Sequence, residues 1–96
     1  MAALCAVPAL PALAQATTLT EYLDIQSFAL CKMYRQDWTP KRAANWTTEI
    51  ALKRGFSTNT LLYYAMTVTA ASALQTSFIE RQGGCQSILA RSAFAN

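Results

Sequence analysis

STNTLLYYAMTVTAASALQTSFIERQGGC, residues 57–85, is the stretch on which the fold of this chain turns. Ser57 or Thr58 is placed to cap a helix that continues to about Gln82, where Gly83-Gly84 stops it. No charged residue occurs between Ser57 and Ile79, and Ala65, Ala70, Ala71 and Ala73 keep the segment slender. Thr67, Thr69, Ser72, Gln75, Thr76 and Ser77 are scattered along it. A helix that is apolar on most sides is contacted on several faces. Residues 57–82 are therefore expected to form the central helix of a bundle.

Working outward, Thr39-Pro40 opens a second helix, with Thr39 as N-cap and Pro40 at the first helical position, where its missing N–H costs nothing. This helix is expected to run to about Arg54 and to bury Ala43, Trp46, Ile50 and Leu52. Gly55 follows as a left-handed C-cap, with Lys53 and Arg54 beside the carbonyl end of the dipole. Further back, Thr18 with Glu21 three residues on forms a capping box. From there Leu19, Tyr22, Leu23, Gln26, Leu30 and Met33 recur at helical spacing, widened by Ile25, Ala29 and Cys31, to an end near Gln36. A short last helix, Cys85 to about Ala93, offers Ile88 and Leu89. No alternating run and no Asn-Gly or Asp-Gly hairpin signal occurs. The expected fold is all-α: a compact bundle of three main helices plus a short C-terminal one, tied by one disulfide.

The disulfide follows from the first sixteen residues. MAALCAVPALPALAQA carries no charge and ends in two small-x-small triplets, Ala12-Leu13-Ala14 and Ala14-Gln15-Ala16. It reads as the apolar part of a signal peptide, residues 1–16, cleaved after Ala14 or Ala16. The basic start of such a leader is missing, because the first Lys or Arg is Lys32; the leader is read as truncated at its N-terminus. Residues 17–96 are then a single small helical domain. Cys5 leaves with the leader, and Cys31 and Cys85 remain as an even pair in an exported chain. Their bridge would stabilise the fold by about 4 kcal/mol in the chain-entropy model, and would be excluded by Cα atoms more than about 7 Å apart. A periplasmic or extracellular location is the corresponding expectation.

Composition narrows function by exclusion. At 96 residues, 53% hydrophobic and 14% charged, the chain is one domain and not a disordered one. It contains no histidine, the commonest general base and metal ligand. Of the acids Glu21, Asp24, Asp37, Glu49 and Glu80, only Glu21 and Asp24 share a helix face, in first turns where the dipole accounts for them. Gly83-Gly84-Cys85 has the look of a nucleophile turn but lacks a base. No catalytic residue, metal site or cofactor is expected; the protein is expected to act by binding.

The basic residues cluster: Lys32, Arg35, Lys41, Arg42, Lys53 and Arg54 are six of the eight positive charges. Such a cluster suits an anionic partner, and aromatic residues and Arg are enriched at interfaces. Arg35, Trp38, Lys41 and Arg42 at the first turn are the candidate binding residues, for a protein or an anionic envelope surface. Two other readings compete. In residues 40–66, Ile50, Ala51, Gly55, Phe56, Leu61 and Tyr64 match the spacing of a DNA-binding helix-turn-helix. Arg54 stands where that pattern wants an apolar residue, and the following helix lacks polar groups for base edges, so nucleic acid is the weaker partner. Residues 61–79 supply a marginal membrane span, diluted by hydroxyl and amide side chains. Asn45-Trp46-Thr47 is a formal glycosylation sequon set in mid-helix.

Overall fold

The computed structural model describes residues 2–91 and 94, with the side chains of residues 18–90 and 94. Among these the chain forms five helices and no strand: α1 (Ala2–Tyr34), α2 (Pro40–Lys53), α3 (Thr58–Thr67), α4 (Ala73–Arg81) and α5 (Gly84–Arg91). The architecture is the expected all-α bundle. Cys31 on α1 and Cys85 at the start of α5 are joined by a disulfide, with Cα atoms 5.3 Å apart.

The centre of the bundle is α1, not the segment 57–82. α1 packs against α2, α4 and α5, whereas α3 lies mainly against α2. At about 1.5 Å per residue, 33 residues make a rod of about 50 Å, which accounts for the 54 Å long axis of a molecule otherwise 25 Å across. The rod starts well before Thr18. Alanine and leucine, which dominate residues 2–16, are strong helix formers, so the backbone is helical through Thr18 and no capping box forms there. Glu21 pairs instead with Arg54, Oε2 to Nη1 at 3.1 Å. Of the expected leader only the backbone of residues 2–16 is described: Met1 lies outside the described residues, as do the side chains of 2–17, including Cys5.

Residues 57–82 are two helices rather than one. Thr67, Val68 and Thr69 are three β-branched residues in a row, which lose rotamer freedom in a helix, and the Thr67 hydroxyl bonds back to the Tyr63 carbonyl at 2.7 Å. α3 ends there, with Val68 as C-cap. Ser72 then restarts the chain as the N-cap of α4, its Oγ accepting from the Gln75 N–H at 3.2 Å. Ser72-Ala73-Leu74-Gln75 carries the Ser-x-x-Gln signature of a helix start. Uncharged residues on both sides make this start look like helix interior in the sequence.

The remaining ends follow local chemistry. Thr39 Oγ1 accepts from the Arg42 N–H at 3.1 Å, with Pro40 at the first helical position. Gly55, at φ +92°, closes α2: its N–H donates to Leu52 O and that of Phe56 to Ala51 O, both at 3.0 Å, the double bond of a Schellman turn. α1 ends with the same pair of bonds around Gln36, a non-glycine residue at φ +65°. At Gly83, φ +96°, a Cβ would lie 2.7 Å from Ser87 Oγ.

Tyr22, Leu23 and Ile25 of α1 meet Ala51, Phe56, Tyr64, Val68 and Phe78 in the main core. Ala43 and Ile88 are buried as expected, and Trp46, Ile50 and Leu89 are half-buried. Leu52 is not a core residue: it is 48% exposed. It points away from the side of α2 that Ala43, Thr47 and Ala51 bury at i, i+4, i+8 spacing.

Candidate functional site

The α1–α2 turn gathers an aromatic cluster with cations around it. Phe28 of α1, Trp38 of the turn, Trp46 of α2 and Phe94 beyond α5 lie ring to ring, with centroids 5.1–6.0 Å apart. All four ring contacts made by Phe28 and Trp38 are tilted or edge-on rather than face-to-face, as the ring quadrupole favours. Cations then sit on the outside. The Arg42 guanidinium is 5.0 Å from the Trp38 ring, and Lys32 Nζ lies 6.0 Å from Trp38 and 5.8 Å from Phe28. Arg54 lies 4.8 Å from the Phe94 ring. All are within the range of cation–π attraction. Asp37 pairs with Lys32 at 3.9 Å.

Trp38 and Arg42 are thus brought together as a stacked pair. Lys41 and Arg42 share a shallow cleft of about 450 Å³ with Thr39, Asn45, Trp46 and Glu49. Glu49 is engaged by Lys53 at 3.7 Å. Arg35 stands apart: its side chain is exposed and, among the described residues, has no ion pair or ring contact. Lys32, part of the basic cluster but not one of the four candidate binding residues, lies over Trp38 as well. Its spacing from Phe28, i to i+4 on one helix, was the signal available.

A second polar centre lies inside the bundle. The fully buried Gln75 donates through Nε2 to Ser27 Oγ at 2.7 Å and to Leu23 O at 3.3 Å, and its Oε1 accepts from Gln26 Nε2 at 2.8 Å. Gln26 Nε2 also donates to the Val68 carbonyl at 2.9 Å, and Tyr22 donates its hydroxyl to Gln26 Oε1 at 3.1 Å. Burial pushes the Tyr22 phenol above its ordinary value. Tyr64 is raised too, by burial first and by neighbouring Tyr63 second. This network ties the α3–α4 break to α1; it is satisfied internally and offers no reactive group.

The other sequence features fall as follows. Ala51, Phe56 and Tyr64 are buried at the α2–α3 turn as a helix-turn-helix would have them. The outer face of α3, however, presents Leu62, Tyr63 and Met66, each at least 60% exposed, where base reading calls for polar side chains. Among the described residues no helix is long and apolar enough to cross a membrane, and the segment 61–79 is interrupted at Val68–Ser72. In the sequon Asn45 is exposed, while the Thr47 hydroxyl is buried and bonded to Ala43 O at 3.0 Å. No group of three or more metal-ligating side chains occurs among the described residues. Comparison with protein families, curated proteins and solved structures finds no match to this chain.

Proposed function

We propose that this is an exported protein that acts by binding, with the α1–α2 turn as the face that meets an anionic surface of the cell envelope. The observation that carries the reading is the stacking of Arg42 and Lys32 on Trp38. It holds two positive charges at a half-buried indole, with Lys41 in the adjoining cleft. A lipid headgroup layer rewards this combination: each Lys or Arg near an anionic surface contributes about 1 kcal/mol, and an indole, apolar with one polar edge, sits well at such a boundary. The Cys31–Cys85 bridge supports passage to an oxidising compartment.

Vesicle sedimentation tests the surface. Vesicles containing phosphatidylglycerol should pull down the protein and pure phosphatidylcholine should not. Raising salt from about 0.1 M to about 1 M, which shortens the screening length from about 10 Å to about 3 Å, should release it. Arg42→Gln should weaken binding about fivefold, the equivalent of about 1 kcal/mol. Equal binding to both vesicle types, or binding indifferent to salt, would defeat the reading. Export is read separately, from the mature N-terminus, which should be Gln15 or Thr17.

A further inference from the structure

The three most exposed large apolar side chains among the described residues stand together on α3: Met66 at 73%, Tyr63 at 63% and Leu62 at 60%. At about 200 Å² for a large side chain, their open parts come to about 400 Å². An apolar patch of that size on a single chain marks a contact surface. Of α3 only Tyr64 is buried, and α2 is its main support within the chain. Beside this ridge lies a groove of about 380 Å³. Its walls are Ala29 and Met33 of α1, Ala43 and Ala44 of α2, Ala65 of α3 and Ala70 of the α3–α4 link. Leu62, three positions before Ala65, lies within about 60° of it around α3, so the ridge stands along one rim of the groove.

Charge, shape and polar pairing together select the occupant. No Asp, Glu, Lys or Arg occurs from Ser57 through Ile79, and none lines the groove. In a two-fold contact the same patch lies on both copies, so a charge near the axis meets its like. A chain of net charge +3 can lie against its own copy here without that repulsion. Ridge and groove are also complementary within one face. Leu62 and Met66 project about eight side-chain heavy atoms, which at ~30 Å³ for a water-sized group need about 240 Å³; the groove holds that. Finally, the polar groups of the groove are engaged: the Tyr22 hydroxyl with Gln26, the Gln26 amide with Gln75 and the Val68 carbonyl, and the Thr47 hydroxyl with Ala43 O. Covering it deprives none of them of a partner. A bilayer suits this face less well, because α3 carries no Lys or Arg of its own to hold it at the headgroups.

We infer that this face is an interface between two copies of the chain, with the Leu62–Met66 ridge of each seated in the groove of the other. The inference goes beyond the surface reading and rests on residues that reading does not use. Sedimentation velocity of the whole chain at rising concentration should show a monomer–dimer equilibrium with Kd of about 1–100 μM, as suits a face at the small end of stable interfaces. Raising salt from about 0.1 M to about 1 M should not weaken it, since the contact holds no charge to screen. Met66→Glu sets a carboxylate into the apolar contact and should weaken the dimer by about tenfold or more, with the helical content unchanged. Ala44→Phe, at an exposed position of α2, fills the groove against the incoming ridge and should do the same; it keeps the test open if the first variant folds poorly. A chain still monomeric at about 1 mM, a dimer that salt dissolves, or a dimer that either folded variant leaves intact would each overturn the inference. So would a monomer whose vesicle sedimentation is lost in Met66→Glu, which assigns the face to lipid. Binding to phosphatidylglycerol vesicles is read separately: a dimer without it removes the α1–α2 turn reading alone, and a monomer that binds vesicles through the turn removes the dimer alone.

Discussion

Gln26, Ser27 and Phe28 are consecutive on α1, yet they serve two regions built on opposite terms. Gln26 and Ser27 face the Gln75 seam, where the buried Ser27 hydroxyl and Gln75 amide and the half-buried Gln26 amide are bonded to one another. Phe28 faces the turn, where Lys32 and Arg42 lie over the rings from the solvent side. Successive residues of a helix point about 100° apart, which is how one strip of α1 addresses both. Buried polar groups hold only while every partner is present. Exposed cations over rings tolerate exchange and remain able to meet something else.

The two regions should therefore respond differently to damage. Reducing the Cys31–Cys85 bridge removes the tether that α5 shares with both, and should lower stability by about 4 kcal/mol, read from urea unfolding with and without reductant. A change far smaller than that would mean α5 docks without covalent help. Gln75→Leu should cost about 2 kcal/mol through the polar groups it leaves short of a partner. The comparison breaks if Trp38→Phe, at the rim of the aromatic cluster, costs as much as Gln75→Leu. Gln36→Gly, which relieves a left-handed backbone at a non-glycine residue, should raise stability by up to about 1 kcal/mol without touching either region; chemical unfolding of that single variant decides it.

The smallest expected effect is in alkaline solution. Tyr22 and Tyr64 are held above the ordinary phenol value of about 10 by burial. The native state then keeps protons that the unfolded chain releases, so stability is intact below about pH 10 and falls as pH rises beyond it. Tyr22→Phe, measured by unfolding at neutral and alkaline pH, should make that fall shallower. An unchanged slope would remove Tyr22 from the account.

What could be read in the residues, and what could not, divides along the same line. Local chemistry was legible: Thr39-Pro40, Gly55 and Gly83-Gly84 mark ends that the structure places within a residue or two. The cysteine pair was legible as well. Which helix lies at the centre was not, because absence of charge on 57–79 looks the same whether a helix is buried or merely uncharged. Leu62, Tyr63 and Met66 turned outward on α3 are the result. The break at Val68 was within reach, since a β-branched triplet followed by Ser-x-x-Gln is a stop and a start in sequence. Of the candidate surface, Trp38 and Arg42 share a face, Lys41 lines the adjoining cleft, and Arg35 lies apart. Side-chain stacking across a turn is set by φ, ψ at Gln36 to Trp38, which no periodicity reports.

The bridge has one further consequence. Cys31 and Cys85 close a covalent ring that contains α2, α3, α4 and every link between them. A protease that nicks the exposed link at Thr69–Ala71 opens the ring without dividing the molecule. The two fragments should travel together until a reductant separates them.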